Sequence, residues 1–272
     1  MREFKVLIIG FGNVGQAFFK LLNLKRDLIR ANVSISEIID RRRGHIVSPS
    51  PNILDEARSG RLLGRRVSLD EIPRLIEESD ADIVCEFTDL NIKEKGEPAF
   101  TYLSTAIRSG KHVITTNKGP IAFHYDELME LGRRFNRLVR FKGTVMAGTP
   151  SFNIIDLLPG IKVNYFMGIL NGTTNYILTR MYEGMSFDEA LKEAQGGKGY
   201  AEADPSLDID GWDAALKAII ISRVLGWRHS PENMEVRGIR NIDIKAFGGD
   251  RIVKLIAYAD RETAYVRPTP TG

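Results

Sequence analysis

A single cysteine, Cys85, is the only thiol in the chain, so no internal disulfide can form. It lies in the apolar run ADIVCEF, where a cysteine serves as a small core hydrophobe. No apolar run approaches the ~18 residues that a membrane span needs. The first one, VLIIGFG, is short and broken by glycine, unlike a secretory leader. Neither sign of charge dominates: 38 Lys and Arg stand against 35 Asp and Glu, interspersed, for a net +3. That balance excludes a nucleic-acid footprint, which would gather basic residues into a stripe. Repeats and low-complexity tracts are missing as well. These absences predict a globular protein of a reducing, cytoplasmic compartment. Its 272 residues suffice for one large or two moderate domains with cores of their own.

What is present is alternation. Phe4 to Ile9 (FKVLII) reads as a buried strand, followed directly by GFGNVG and the helical AFFKLLNLKRDLIRAN. Gly10, Gly12 and Gly15 take the three glycine places of a dinucleotide-binding turn, with Phe11, Asn13 and Val14 between them. There the first glycine allows the tight turn, the second lets backbone approach a pyrophosphate, and the third lets the helix pack on the strand. The helix N-terminus offers its N–H groups to the phosphates. A second strand, Val33 to Ile39, ends at Asp40, an acid placed to accept from a ribose 2′-OH and so to favour NAD. Arg41, Arg42 and Arg43 follow, and arginines at that point favour the 2′-phosphate of NADP unless they belong to a solvated loop. The two signals conflict, and the choice of cofactor stays open.

Ser50 to Gly64 reads as a loop with a short helix, and Ser68 with Glu71 outlines a capping box for a helix to about Ser79. A strand over Asp82 to Phe87 carries Thr88 and Asp89 at its end. A helix over Glu97 to Ser109 stops at Gly110, and a strand over Lys111 to Thr115 runs out into TTNKGP. The alternation predicts an α/β fold, a Rossmann-type parallel sheet with helices on both faces. Ligands bind outside the carboxyl ends of such strands, where Gly10 to Gly15, Asp40, Thr88, Asn117 and Lys118 all fall. After Leu138 to Lys142 the small, turn-forming GTVMAGTP reads as a hinge. The expected division is therefore a nucleotide-binding domain over 1–142 and a second α/β region over 143–272. In the latter, Ser151 to Leu158 reads as a helix and Ile161 to Leu170 as a strand leading into NGTTNYI and a helix from about Thr174. Ser186 and Glu189 outline a second capping box, for a helix to about Ala194. Arg251 to Tyr258 and Thr263 to Val266 pair as a hairpin.

The stretch from Tyr200 to Gly226 stands apart. It opens with the carboxylates Glu202, Asp204, Asp208, Asp210 and Asp213 and no positive charge among them, then becomes a helix that is apolar almost all round. Such a helix is usually buried, yet Asp213 and Lys217 sit inside it, four apart and on one face. One reading is an exposed helix pair worth about 0.2–0.5 kcal/mol. The other is an ion pair kept in a buried helix because a ligand needs it, since burying charge is costly.

Taken in order, GFGNVG (10–15), SGKHVITTNKGP (109–120), GTVMAGTP (143–150), GILNGTTNYIL (168–178) and GYAEADPSLDIDGWDAALK (199–217) resemble the homoserine dehydrogenase family over nearly the whole chain. The resemblance implies a nucleotide-binding domain joined to an α/β catalytic and dimerisation region, and hence a homodimer. It implies reversible reduction of L-aspartate 4-semialdehyde to L-homoserine with NAD(P)H, within threonine, methionine and isoleucine synthesis. Negative charge builds on the aldehyde oxygen as hydride arrives, so the reaction needs a lysine nearby. Lys217 takes the family's proton-donor position, with Asp213 to hold it charged and aimed, and Lys118 is the second candidate. The substrate's α-ammonium calls for a carboxylate, and Glu202 fits the family position, with Asp208 and Asp213 beside it. The substrate carboxylate would meet N–H groups of Gly172, Thr173 and Thr174, where a strand feeds a helix N-terminus. Asp204 and Asp210 are left for capping or solvation.

Two departures from the family pattern carry expectations of their own. Members of the family often bind a monovalent cation, usually sodium, through backbone carbonyls and a glutamate near the hinge. Val145, Ala147 and Thr149 stand at the carbonyl positions, but Lys142 replaces the glutamate, and its ammonium would repel a cation. No metal is expected. Family members also continue past the terminal PTPTG with a return segment to the nucleotide domain. This sequence lacks that segment, so the cofactor cleft is expected to lose one wall. Two alternatives to the enzyme follow: a non-catalytic nucleotide-binding or dimerisation module, and another amino-acid or semialdehyde dehydrogenase on the same scaffold. A semialdehyde dehydrogenase that forms acyl phosphates needs a nucleophilic cysteine, and a Cys85 held in a core strand argues against it.

Overall fold

The structure is a computed structural model that describes residues 3–146, 148–149, 152–158, 160–196, 204–247 and 251–271. The chain divides into two units, Met1–Thr149 and Pro150–Gly272.

In the first unit the apolar runs become strands of one sheet, and the connections between them become its covering helices. In chain order these are β1 (Glu3–Ile9), α1 (Asn13–Leu24), β2 (Asn32–Asp40), β3 (Gly44–Val47), α2 (Ile53–Arg58), α3 (Ile72–Glu78), β4 (Ile83–Glu86), α4 (Ala99–Arg108), β5 (His112–Thr115), α5 (Lys118–Arg134) and β6 (Val139–Arg140). The strand order is β3-β2-β1-β4-β5-β6, with β3 antiparallel at one edge and every other pairing parallel. The chain winds outward through β2 and then restarts at β4 on the other side of β1. The reversal opens a crevice at the carboxyl ends of these strands. Leu7, Ile9, Val84 and Val113 are fully buried, as strands covered on a face by helices must be. Ser68 and Glu71 exchange the capping-box bonds expected of them.

Three elements depart from the sequence expectation. The first helix, expected to run on to Asn32, ends at Leu24, and a single 3-10 turn over Arg26–Leu28 follows. Leu24 and Leu28 are exposed, so no packed face holds a longer helix together. The α5 helix was not expected: its start at Lys118-Gly-Pro reads as a turn, and His124 interrupts its helical dihedrals. The short edge strand β3 was also missed.

The second unit contains α6 (Asn153–Leu157), β7 (Phe166–Gly168), α7 (Gly172–Tyr182), α8 (Phe187–Gly196), α9 (Ser206–Ile209), α10 (Trp212–Val224), β8 (Glu235–Val236), β9 (Ile252–Ala259) and β10 (Ala264–Thr271). Its sheet runs β7-β9-β10-β8. The β9–β10 hairpin forms as expected, and Asp260 closes its turn by accepting from the N–H groups of Glu262 and Thr263. Ser186 likewise exchanges bonds with Glu189 at the head of α8. The strand expected over Ile161 to Leu170 shrinks to Phe166–Gly168, since it lies at the sheet edge and pairs only with Ala257 to Ala259. Ala214, Ala215, Leu216, Ala218, Ile219 and Ile220 bury α10 in the core of this unit. Among the described residues, no helix is long and apolar enough to cross a membrane.

Candidate active site

The first unit's crevice is built from backbone. Gly10 adopts φ +90°, and a Cβ there would lie 2.7 Å from the carbonyl of Phe87, while one on Gly15 would lie 2.3 Å from the Gly10 oxygen. Gly10 is therefore demanded by the end of β4 against it, and Gly15 by packing within the turn itself. Gly12 differs: the place of its Cβ has no neighbour within 4 Å, which leaves the open approach that a pyrophosphate requires. Asn13 and Val14 are exposed in the first turn of α1, whose N–H groups have no intrahelical partner. Phe11 is placed inward. Its ring is buried edge-on against Phe19, and its N–H donates to Asp40 Oδ2 at 2.9 Å.

Asp40 is likewise spoken for. Its Oδ1 accepts from the N–H groups of Arg42 and Arg43, each at 2.9 Å, and from Arg43 Nη1 at 3.4 Å. Burial alone would raise its pKa, but the N–H donors of Phe11, Arg43 and Arg42 outweigh that and hold the carboxyl below the usual aspartate range. Arg41 and Arg42 are exposed, and together with Gly12, Asp40 and Thr88 they line a cavity of about 520 Å³. The donors in and around it, a glycine turn, a helix N-terminus and two guanidinium groups, fit a dinucleotide.

A buried carboxylate that sequence reasoning passed over organises the far side of this cavity. Glu86, at the end of β4, accepts from the N–H of Thr88 at 2.7 Å, from the Thr88 hydroxyl, and from Thr115 Oγ1 at 2.6 Å. Burial pushes its pKa up, and the bonds from Thr115 and Thr88 pull against that. Asn117 donates to the carbonyls of Thr88 and Asp89, and its own N–H bonds Thr115 Oγ1. It also caps α5, whose first residue is the half-buried Lys118. Cys85, one residue before Glu86, is fully buried and its thiol is pushed up to about 12, so it is no thiolate at neutral pH. That removes acyl-enzyme chemistry at this position.

In the second unit the acidic stretch folds over the start of α7. Lys217 Nζ donates to Asp213 Oδ2 at 2.6 Å and to the Leu170 carbonyl at 2.9 Å. The two side chains are 19% and 13% exposed, which rules out the freely solvated helix pair. Asn171, unmarked in the sequence reading, donates to Asp208 Oδ1 at 2.7 Å and to Asp213 Oδ2 at 2.9 Å. Its Oδ1 accepts from the N–H of Thr174 at 2.8 Å, which withdraws that group from the three N–H donors expected to meet a substrate carboxylate. Gly172 is exposed and Thr173 is buried at the same helix start.

The remaining carboxylates separate as follows. Asp204 is exposed and accepts from the Ser206 N–H, whereas Asp210 forms a two-point ion pair with Arg240 at 2.7 and 3.0 Å. Glu202 and Ala147 lie outside the described residues. Lys142 is half-buried in a 3-10 turn that precedes a buried Val145 and an exposed Thr149.

The sequence matches two family models, "Homoserine dehydrogenase, NAD binding domain" over residues 10–142 and "Homoserine dehydrogenase" over residues 150–270. The homoserine dehydrogenase of Sulfurisphaera tokodaii is 40% identical over 98% of this chain and 82% of its own length. An NAD(+)-dependent homoserine dehydrogenase of Pseudomonas canavaninivorans is 36% identical over 83% of this chain and 67% of its own. A hyperthermophilic archaeal homoserine dehydrogenase solved in complex with NADPH superposes with a TM-score of 0.85, at 30% identity, over 100% of this chain and 83% of that one.

Proposed function

Because the chain belongs to the homoserine dehydrogenase family, whose members interconvert L-aspartate 4-semialdehyde and L-homoserine with NAD(P), we propose that Lys217 handles the proton of that reaction. NAD(P)H supplies the hydride when bound. As the aldehyde carbon gains it, the oxygen takes on negative charge, and the Lys217 ammonium stabilises that charge and transfers one proton to it. In the reverse direction the amine accepts the hydroxyl proton of homoserine. The observation that carries this reading is the anchoring of Nζ on Asp213 Oδ2 and the Leu170 carbonyl. Among the described residues this commits two of its three N–H bonds and leaves one for a substrate oxygen. Asp208 and Asp213, with Glu202, supply negative charge for the substrate's α-ammonium. The helix start at Gly172 and Thr173 would face its carboxylate with the positive end of the helix dipole.

In this reading residues 1–142 bind the cofactor, with Lys118 beside it, and residues 143–272 act on the substrate. NADP is the better fit of the two cofactors. Asp40 spends one oxygen on its own loop and the other on the Phe11 N–H of the glycine turn, so it is poorly placed to take a ribose 2′-OH, while Arg41 and Arg42 are exposed for a 2′-phosphate.

Lys217→Ala should lower kcat by about 10²–10⁴-fold while leaving the NADPH dissociation constant unchanged, as followed by nicotinamide absorbance and fluorescence. Wild-type turnover in this variant would end the proton-donor assignment.

The protein is further read as a cytoplasmic homodimer. Leu157, Tyr165, Met167 and Ile169 of the second unit are 76%, 59%, 64% and 43% exposed, an apolar surface of the kind that a partner covers. Sedimentation equilibrium should give twice the chain mass for wild type and a single mass for Met167→Glu. A monomeric wild type contradicts this.

A further inference from the structure

We propose that Asn171 is a positioning residue for the proton transfer: its amide NH2 holds Asp208 and Asp213 side by side and fixes the oxygen that Asp213 presents to Lys217. The inference rests on the reading of Lys217 as proton donor.

Asn171 is the N-cap of α7, in an extended conformation, and is only 5% exposed. Its Oδ1 faces the Thr174 N–H at 2.8 Å and the Thr174 hydroxyl at 3.0 Å. An N–H needs an acceptor, so chemistry dictates which end of the amide lies there, and the NH2 must point the other way. It points at two carboxylates, Asp208 Oδ1 and Asp213 Oδ2. Capping uses only the oxygen, and serine or aspartate would cap as well. The two N–H donors are therefore surplus to the helix and are committed to residues 37 and 42 positions away.

Two carboxylates that converge on one nitrogen would face each other without it, and like charges at that range disfavour each other's ionised form. A neutral double donor satisfies both without adding charge. The same Asp213 oxygen receives Lys217 Nζ, and the carbonyl of Leu170, next to Asn171 in the chain, takes a second Nζ bond. Residues 170 and 171 thus hold both members of the ion pair. The frame fixes where the ammonium can aim, and misplacement on the scale of an ångström costs about a hundredfold in rate.

Asn171→Ser and Asn171→Asp both keep a helix-capping oxygen but lose the NH2, and Asn171→Asp adds a third carboxylate. Asn171→Ser should melt close to wild type and Asn171→Asp, with three carboxylates together, lower, and the folded protein of both should bind NADPH with unchanged affinity. Turnover should fall about a hundredfold, more in Asn171→Asp than in Asn171→Ser, and the solvent deuterium isotope effect on kcat should grow. Wild-type kcat and isotope effect in Asn171→Ser would overturn the proposal, as would a loss of activity in both variants that merely follows a loss of folded protein. If Lys217→Ala is inactive while Asn171→Ser is normal, only the role of Asn171 falls. If Lys217→Ala is itself fully active, the donor reading falls first and takes this one with it.

Discussion

Asp40 in the first unit and Asp213 in the second are nearly equal in exposure, at 12% and 13%, and each accepts several hydrogen bonds. Their donors differ in kind. Asp40 is held chiefly by backbone N–H groups, those of Phe11, Arg42 and Arg43, and so ties the loop after β2 to the glycine turn after β1. Among the described residues, Asp213 accepts from the side chains of Lys217 and Asn171. Backbone donors cannot change charge or swing away, so a carboxylate spent on them shapes a loop. Side-chain donors can lose a proton or move, so a carboxylate spent on them can take part in a reaction. Burial does not separate the two roles, but the identity of the donors does.

The sharpest test of that contrast exchanges the effects of one substitution. Asp213→Asn should lower kcat by at least about a hundredfold with little change in melting temperature. Asp40→Asn should do the reverse, costing about 2 kcal/mol of folding stability because buried N–H donors lose an acceptor. Its kcat at saturating cofactor should stay near wild type. Chemical denaturation and initial rates on the same samples decide the matter, and a large kcat loss from both would break the distinction. Acid adds a second reading of Asp40. Its pKa is depressed in the folded state, so its contribution is complete above the unfolded carboxyl range and disappears as pH falls through the folded value, below about pH 4. The stability of Asp40→Asn should lack that part of the acid dependence.

The smallest effect is expected at the rim. Arg41→Ala removes one exposed guanidinium, which should weaken NADPH by about fivefold, on the order of 1 kcal/mol, and leave NADH unchanged. Equal weakening of both cofactors would show that Arg41 serves the loop and does not read the 2′-phosphate.

Much of the first unit was legible because local patterns and tertiary placement agree there. The strand before Gly10, the Ser68–Glu71 capping box and the stop at Gly110 each depend on residues a few positions apart. The α5 helix escaped because Gly119 and Pro120 sit in its first turn, where a proline is tolerated but resembles a loop signal. In the acidic stretch, the i, i+4 spacing of Asp213 and Lys217 was visible. The role of Asn171 was not, because its partners are far along the chain and a capping asparagine explains itself locally. The loop bonds of Asp40 were hidden for a related reason, and its acid and the arginines after it left the cofactor open. A sequence names an acceptor without saying which donors fold onto it first.

Glu86 carries one more consequence. By gathering Thr88 and Thr115 onto a single carboxylate, it fuses the ends of β4 and β5 into one body, and Asn117 extends that body to the start of α5. The freedom of Thr88 and Lys118 to wander relative to each other is then lost when the chain folds. On the proposed reading, a cofactor arriving at these strand ends would meet groups whose configurational entropy is already spent, and its affinity would not be diminished by having to order them.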